Sequence, residues 1–168
     1  MSELRTNKIV PRDGLPAGAA AGGIVQMAYA QKTDGYSHNS TSYADITGFN
    51  CTITPQSASN KILVRVMMTV MDSSGPATAA TFRLLRGSTV IGSDSGDDRN
   101  GIALYYTGSS EGMKTIGFEY LDSPATTGAT TYKVTMRGDT TDVVGVNYWP
   151  NNNNYRGTSS ITLMEVSG

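Results

Sequence analysis

The sequence predicts an all-β fold, an antiparallel β-sandwich of jelly-roll type with about eight to ten strands behind an extended N-terminal arm. Three observations predict it. Short apolar runs recur along the chain, several with period-two alternation, and nearly all are bounded by Gly, Pro, Asp, Asn or Ser turn residues. No segment sustains a helical period over the roughly ten residues a helix needs. No strand–helix–strand rhythm points to a parallel sheet. At 168 residues the chain suits one domain with a core of its own. The expected division is an arm and Gly/Ala-rich hinge over 1–23 and the sandwich over 24–168.

The arm comes first, in "ELRTNKIVPRDGLPAGAAAGG". Leu4, Thr6, Lys8 and Val10 alternate against Arg5, Asn7 and Ile9, so this stretch can be one extended strand whose main-chain groups need a partner. Pro11 and Pro16 stop it, and "AGAAAGG" makes a compliant hinge. A docking segment and a disordered tail are its two readings.

After Gly23, "IVQMAYAQ" is a short strand, and "TSYADITGFNCTITP" is one or two strands with a break at Gly48. "KILVRVMMTVM" is the strongest strand. Its alternation puts Ile62, Val64, Val66, Met68 and Val70 on a core face and Lys61, Leu63, Arg65, Met67, Thr69 and Met71 on the other. The further strands are "TFRLLRG", "STVIGSD", "GIALYYTG", "MKTIGFEYLDS", "TTYKVTMRG", "VVGVNYW" and "SSITLMEV". In "TTYKVTMRG" the core positions are Tyr132, Val134 and Met136. In "ALYYTG" Tyr105 and Tyr106 point to opposite faces, one of them outward.

Several strands are apolar on both faces. A two-layer sandwich leaves Leu63, Met67 and Met71 over, and contiguous apolar patches mark contact surfaces, so these three are the candidate interface of a homo-oligomer. The other reading is a thicker core closed by loops.

Composition narrows the function. Charged residues make up 16% of the chain and the net charge is -1, which argues against nucleic acid as a partner. The single Cys51 excludes an intrachain disulfide, and the single His38 excludes a multi-histidine zinc site. Cys51 reads as a small buried thiol and His38, in "DGYSHNSTS", as a solvated loop residue. There is no run of roughly 18 apolar residues to span a membrane and no apolar core of a secretory signal, so the expectation is synthesis in a cytoplasm without membrane insertion.

Chemistry-bearing groups are sparse. Asp94, Asp97 and Asp98 in "SDSGDDRNG" are weak candidates for a hard cation, but their spacing is not that of an EF-hand and a surface turn is the better reading. Arg137-Gly138-Asp139 ends a half-buried strand and reads as turn chemistry. No triad, phosphate-cradling loop or selected carboxylate pair is present, so no catalytic residue and no cofactor are expected, and the chain is not read as an enzyme. The most suggestive exposed stretch is "VNYWPNNNNYRGTSS". Tyr148, Trp149 and Tyr155 flank Asn151, Asn152, Asn153 and Asn154, and rings beside amides suit a saccharide, the rings on C–H faces and the amides on hydroxyls. The alternative is a rim anchor at Trp149 with a solvated Asn loop.

The opening "MSELRTNKIVPRDGLPAGAAAGGIVQ" and the following "TSYADITGFNCTITPQSASNKILVRV" resemble virion proteins of marine tailed bacteriophages, particularly phages of cyanobacteria. The resemblance covers about Ser2 to Val70. "FRLLRGSTVIGS", "YLDSPATTGATTYKVTMRG" and "SSITLMEV" are similar in style to small trimeric jelly-roll heads of the tumour-necrosis-factor kind. The resemblance implies a tail fibre or related appendage, located on the virion, with a trimeric head that attaches to a host surface glycan or protein. It implies that Leu4, Arg5, Thr6, Asn7, Lys8, Ile9 and Val10 dock on other virion proteins. The chain departs from a full tail fibre in having no shaft repeats, which keeps capsid decoration or a purely structural tail component as the alternative, with a stand-alone glycan-binding module third.

Overall fold

A computed structural model of the chain describes residues 23–72, 78–94, 99–108, 112–149 and 152–168. Among these residues the chain is all strand and turn. In chain order the strands are β1 (Ile24–Lys32), β2 (Tyr36–His38), β3 (Ala44–Ile53), β4 (Lys61–Asp72), β5 (Thr78–Arg86), β6 (Thr89–Ile91), β7 (Ala103–Thr107), β8 (Met113–Asp122), β9 (Thr130–Gly138), β10 (Val144–Val146), β11 (Tyr148–Trp149), β12 (Asn152–Arg156) and β13 (Ser159–Val166).

They form two main antiparallel sheets and a hairpin. The first sheet runs β1–β13–β4–β8, with β10 on the same edge of β4 as β13 and β2 beyond it. The second runs β3–β9–β5, with β6 and β7 sharing the far edge of β5. Among the described residues β11 and β12 pair only with each other. Setting aside β2, β6, β10 and that hairpin, the remaining strands in chain order take the positions first-eighth-third-sixth in one sheet and second-seventh-fourth-fifth in the other. That order is the double Greek key of a jelly roll, as the turn spacing of the sequence predicts.

The core lies between the sheets. Ile62, Val64, Val66, Met68 and Val70 of β4 are fully buried, as their alternation predicts, with Ile161 and Leu163 of β13 beside them. Phe49, Phe82, Leu84, Tyr132, Val134 and Met136 close the core from the second sheet. Gly48 is no strand break but a bulge inside β3. The register with β9 shifts between Asp45 and Asn50, and Gly48 takes φ +73°, a conformation a side chain disfavours.

Four expectations change. His38 is not a solvated loop residue: it ends β2, is half-buried, stacks on Tyr36 at 6.4 Å and bonds through Nε2 to the Ser42 carbonyl at 2.8 Å. Asn152, Asn153 and Asn154 belong to a strand, because β11 offers their backbone a ladder. Met71 shares a face with Leu63 and Met67 but is only 1% exposed, at the end of β4 where β10 pairs with it. The strand count is thirteen among the described residues, the excess being short pieces such as β2 and β6.

Candidate functional site

The outer surfaces of the two sheets differ in chemistry. On the second sheet, polar pairs lock the surface. Thr52 Oγ1 bonds Thr131 Oγ1 at 2.7 Å, Lys133 Nζ donates to Asp45 at 2.7 Å, and the Arg83 guanidinium lies 3.9 Å from the centre of the Tyr43 ring. Among the described residues, exposed large apolar side chains there are Leu104 and Tyr106 on β7. Tyr105, the neighbour on the opposite face, is buried as the alternation requires.

The first sheet presents an apolar band instead. Register places Met27 opposite Met164, Met164 opposite Leu63, and Leu63 opposite Leu121, so one row crosses four strands. Met27 is 65% exposed and Leu121 48%, with Leu63 and Met164 half-buried between them. Ile24 and Tyr29 of β1 and Met113 of β8 extend the band. Two rows interrupt it, one where Arg65 bridges Glu119 at 3.2 Å and one where Thr69 faces Thr115. Beside that ion pair lies a shallow depression of about 400 Å³ lined by Arg65, Met67, Gly117, Phe118 and Glu119. Met67, 40% exposed, covers Gly117, where a Cβ would stand 2.5 Å from its sulfur.

Of the interface residues that the sequence points to, Leu63 and Met67 therefore lie on this band, and Met71 does not contribute surface. Met27, Leu121 and Met164 were not among them. Their faces follow from the pairing register, which a single strand's alternation leaves open.

The end of this sheet is held by a buried anion. Glu165 of β13 is fully buried and accepts from Gln26 Nε2 at 2.5 Å, Asn60 Nδ2 at 2.6 Å and the Gln56 amide at 2.7 Å. Burial pushes its pKa up, but those donors together outweigh burial and hold it below the ordinary value.

No protein-family model and no curated protein matches the chain. Similar solved structures are those of T=1 particles derived from infectious bursal virus, 11% identical over 94% of this chain and 41% of the other, TM-score 0.39. The Gt strain of infectious bursal disease virus gives 14% identity over 94% and 44%, TM-score 0.38. The chain thus spans less than half the length of these solved chains.

In the β11–β12 hairpin the aromatic residues face one another. Trp149 packs on Tyr155 with ring centres 5.3 Å apart, tilted by 43°. Tyr148 lies against Gly35 and 5.5 Å from the Arg156 guanidinium. Tyr148 and Trp149 are half-buried, while Tyr155 and Arg156 are exposed. The hairpin is thus an internally packed tip with Tyr155 and Arg156 at its surface. Asn151 lies outside the described residues, and of Asn152, Asn153 and Asn154 only the backbone course is described.

Elsewhere, Asp94 is exposed, while Asp97 and Asp98 lie outside the described residues. Leu4, Arg5, Thr6, Asn7, Lys8, Ile9 and Val10 do so as well. Arg137 is buried and Asp139 pairs with Arg99 at 3.2 Å, which ties the Arg-Gly-Asp stretch into the fold. Cys51 is buried, and burial pushes its thiol pKa up, opposite to the shift of an activated nucleophile.

Proposed function

We propose that the chain is a virion structural protein, the oligomeric head of a short tail fibre or related appendage, acting by assembly and contact rather than by catalysis. The observation that carries this reading is the row Met27–Met164–Leu63–Leu121 on an outer sheet face. It adds nothing to the sandwich core, and a soluble protein gains by covering it, each Å² removed from water contributing about 25 cal/mol. The arm's resemblance to virion proteins of marine tailed phages supports the location, with the arm on a neighbouring virion protein and the head outward.

Sedimentation velocity of the full chain and of a Met27→Glu/Met164→Glu variant tests the assembly. The full chain is expected to sediment as an oligomer at micromolar concentration and the variant to lose that contact while its circular dichroism keeps the strand signature, the two facing carboxylates lowering its melting temperature. A monomeric full chain, or a variant that assembles unchanged, overturns the reading. Immuno-electron microscopy on virions then places the protein on tail or capsid.

A second reading, a purely structural component without host contact, is favoured by the hairpin. Trp149 and Tyr155 pack on each other rather than lying open as a platform for a sugar. In the first reading Tyr155 and Arg156 touch a host glycan or protein. A glycan array with and without Tyr155→Ala separates the two.

A further inference from the structure

β8 is the edge of its sheet, yet its open side is built like an interior one. Among the described residues it pairs only with β4. The Asp72 amide donates to the Gly112 carbonyl at 3.2 Å, one step beyond the Met71–Met113 register, so the even-numbered residues of β8 exchange bonds with β4. The other side of β4 agrees. The Thr69 carbonyl accepts from the Asn147 amide, and its own amide donates to Ser159 Oγ, which turns the odd residues of β4 toward β13. The N–H and C=O groups of Met113, Thr115, Gly117, Glu119 and Leu121 therefore point out of the sheet. Apolar side chains stand on both faces of this edge, Met113 and Leu121 outside beside Thr115 and Glu119, and Ile116, Phe118 and Tyr120 half-buried inside. Such an edge is a template for another strand.

We infer that the occupant is β8 of a second copy, antiparallel about a twofold axis through Gly117. The inference rests on the self-assembly reading above and names the contact. Residues with outward main-chain groups must meet one another, so the axis passes through a residue rather than between two; centred on Ile116 it sets Met113 against Glu119, and centred on Phe118 it sets Leu121 against Thr115. Centred on Gly117, the pairing puts Met113 against the second copy's Leu121, Thr115 against its Glu119, Ile116 against its Phe118 and Lys114 against its Tyr120. Apolar then meets apolar and no like charges are opposed. Centred on Glu119, two carboxylates stand directly opposite, which is destabilising. Centred on Thr115, Leu121 and Tyr120 lose their partners. The twofold also gives an even-numbered assembly, against the three-copy heads that the phage resemblance implies.

The test uses a Thr115→Cys/Glu119→Cys variant of the full chain. Directly bonded antiparallel pairs have Cα atoms about 5.5 Å apart, within reach of a disulfide. Mild oxidation is expected to give a dimer that survives denaturing electrophoresis and is lost on reduction. Thr115→Cys alone is expected to give none, because the two copies of that residue are offset along the pair. Thr115→Pro removes an outward N–H from each copy without touching the β4 ladder. It is expected to weaken the dimer by about tenfold or more, with the fold intact by circular dichroism. Deleting residues 2–22 is expected to leave the dimer unchanged, and loss of assembly would identify the arm as the occupant and overturn the inference. A crosslink from Thr115→Cys alone or a trimeric full chain overturns it too. An assembled chain that gives no crosslink refutes the edge pairing and leaves the proposed function standing, whereas a monomeric chain refutes both.

Discussion

Replacing Glu165 with Gln perturbs the structure where the sheet end, β1 and the loop before β4 meet. The carboxylate accepts bonds from Gln26 Nε2, Asn60 Nδ2 and the Gln56 amide. Bonds to a charged acceptor contribute about 1.5–3 kcal/mol each, and an unpaired buried donor costs about 1–3 kcal/mol. A Gln amide at this place turns an NH2 toward a donor, so one bond is lost, one donor is stranded and the other bonds weaken. The expected cost is about 2–4 kcal/mol at neutral pH, a melting temperature lower by roughly 5–15 °C for a chain of this length. The pH dependence has a definite sign. The folded pKa lies below the 4.5 of an ordinary glutamate, so the unfolded chain takes up its proton first. This group's stabilisation is complete above the ordinary value and is lost as the pH falls through the folded one. Thermal unfolding by near-ultraviolet circular dichroism, at pH 7 and again near pH 3, should show a large gap between parent and variant that narrows in acid. A variant within about 0.5 kcal/mol of the parent at pH 7, or a gap that widens in acid, refutes the reasoning.

Tyr132→Phe removes the hydroxyl that donates to Asp122 at 2.7 Å but leaves both Arg86 bonds to that carboxylate, so urea denaturation should show a loss of about 1–2 kcal/mol. Gly48→Ala forces a side chain onto φ +73° and should cost about 1–2 kcal/mol, read from the same curves. Trp149→Ala should lower the melting temperature by undoing the packing on Tyr155, whereas Tyr155→Ala, at a residue already half exposed, should lower it less.

The sandwich was legible wherever one strand's alternation met a buried face. β4 and β9 carry their core positions at every second residue, and each of those side chains is fully buried. What the sequence could not reveal depends on partners. β12 reads as a loop because Asn disfavours strands, and it becomes one only because β11 lies beside it. Met71 obeys the alternation that predicts an open face yet is buried, at the end of β4 where β10, an element later in the chain, pairs with it. The apolar row was half legible: Leu63 and Met67 stood out on β4, but Met27, Met164 and Leu121 join Leu63 only once the register is known. Tyr148, Trp149 and Tyr155 could be singled out as aromatic, yet their turning toward one another and toward Gly35 and Arg156 is a property of the folded hairpin.

The face and the edge belong to one sheet, and that constrains how both can be used. Pairing two β8 strands about Gly117 sets two apolar faces side by side in one continuous sheet, so edge pairing enlarges the uncovered band instead of hiding it. Where both proposed contacts form, a second isologous contact through the Met27–Met164–Leu63–Leu121 row would close the assembly with a further twofold. The two contacts should separate by mutation. Met27→Glu/Met164→Glu removes the face contact and should leave an edge-paired dimer that still crosslinks between positions 115 and 119. Thr115→Pro weakens the edge and should leave a dimer held by the face. If Met27→Glu/Met164→Glu also abolishes the crosslink, the two surfaces form a single contact, and the edge cannot be an independent site of assembly.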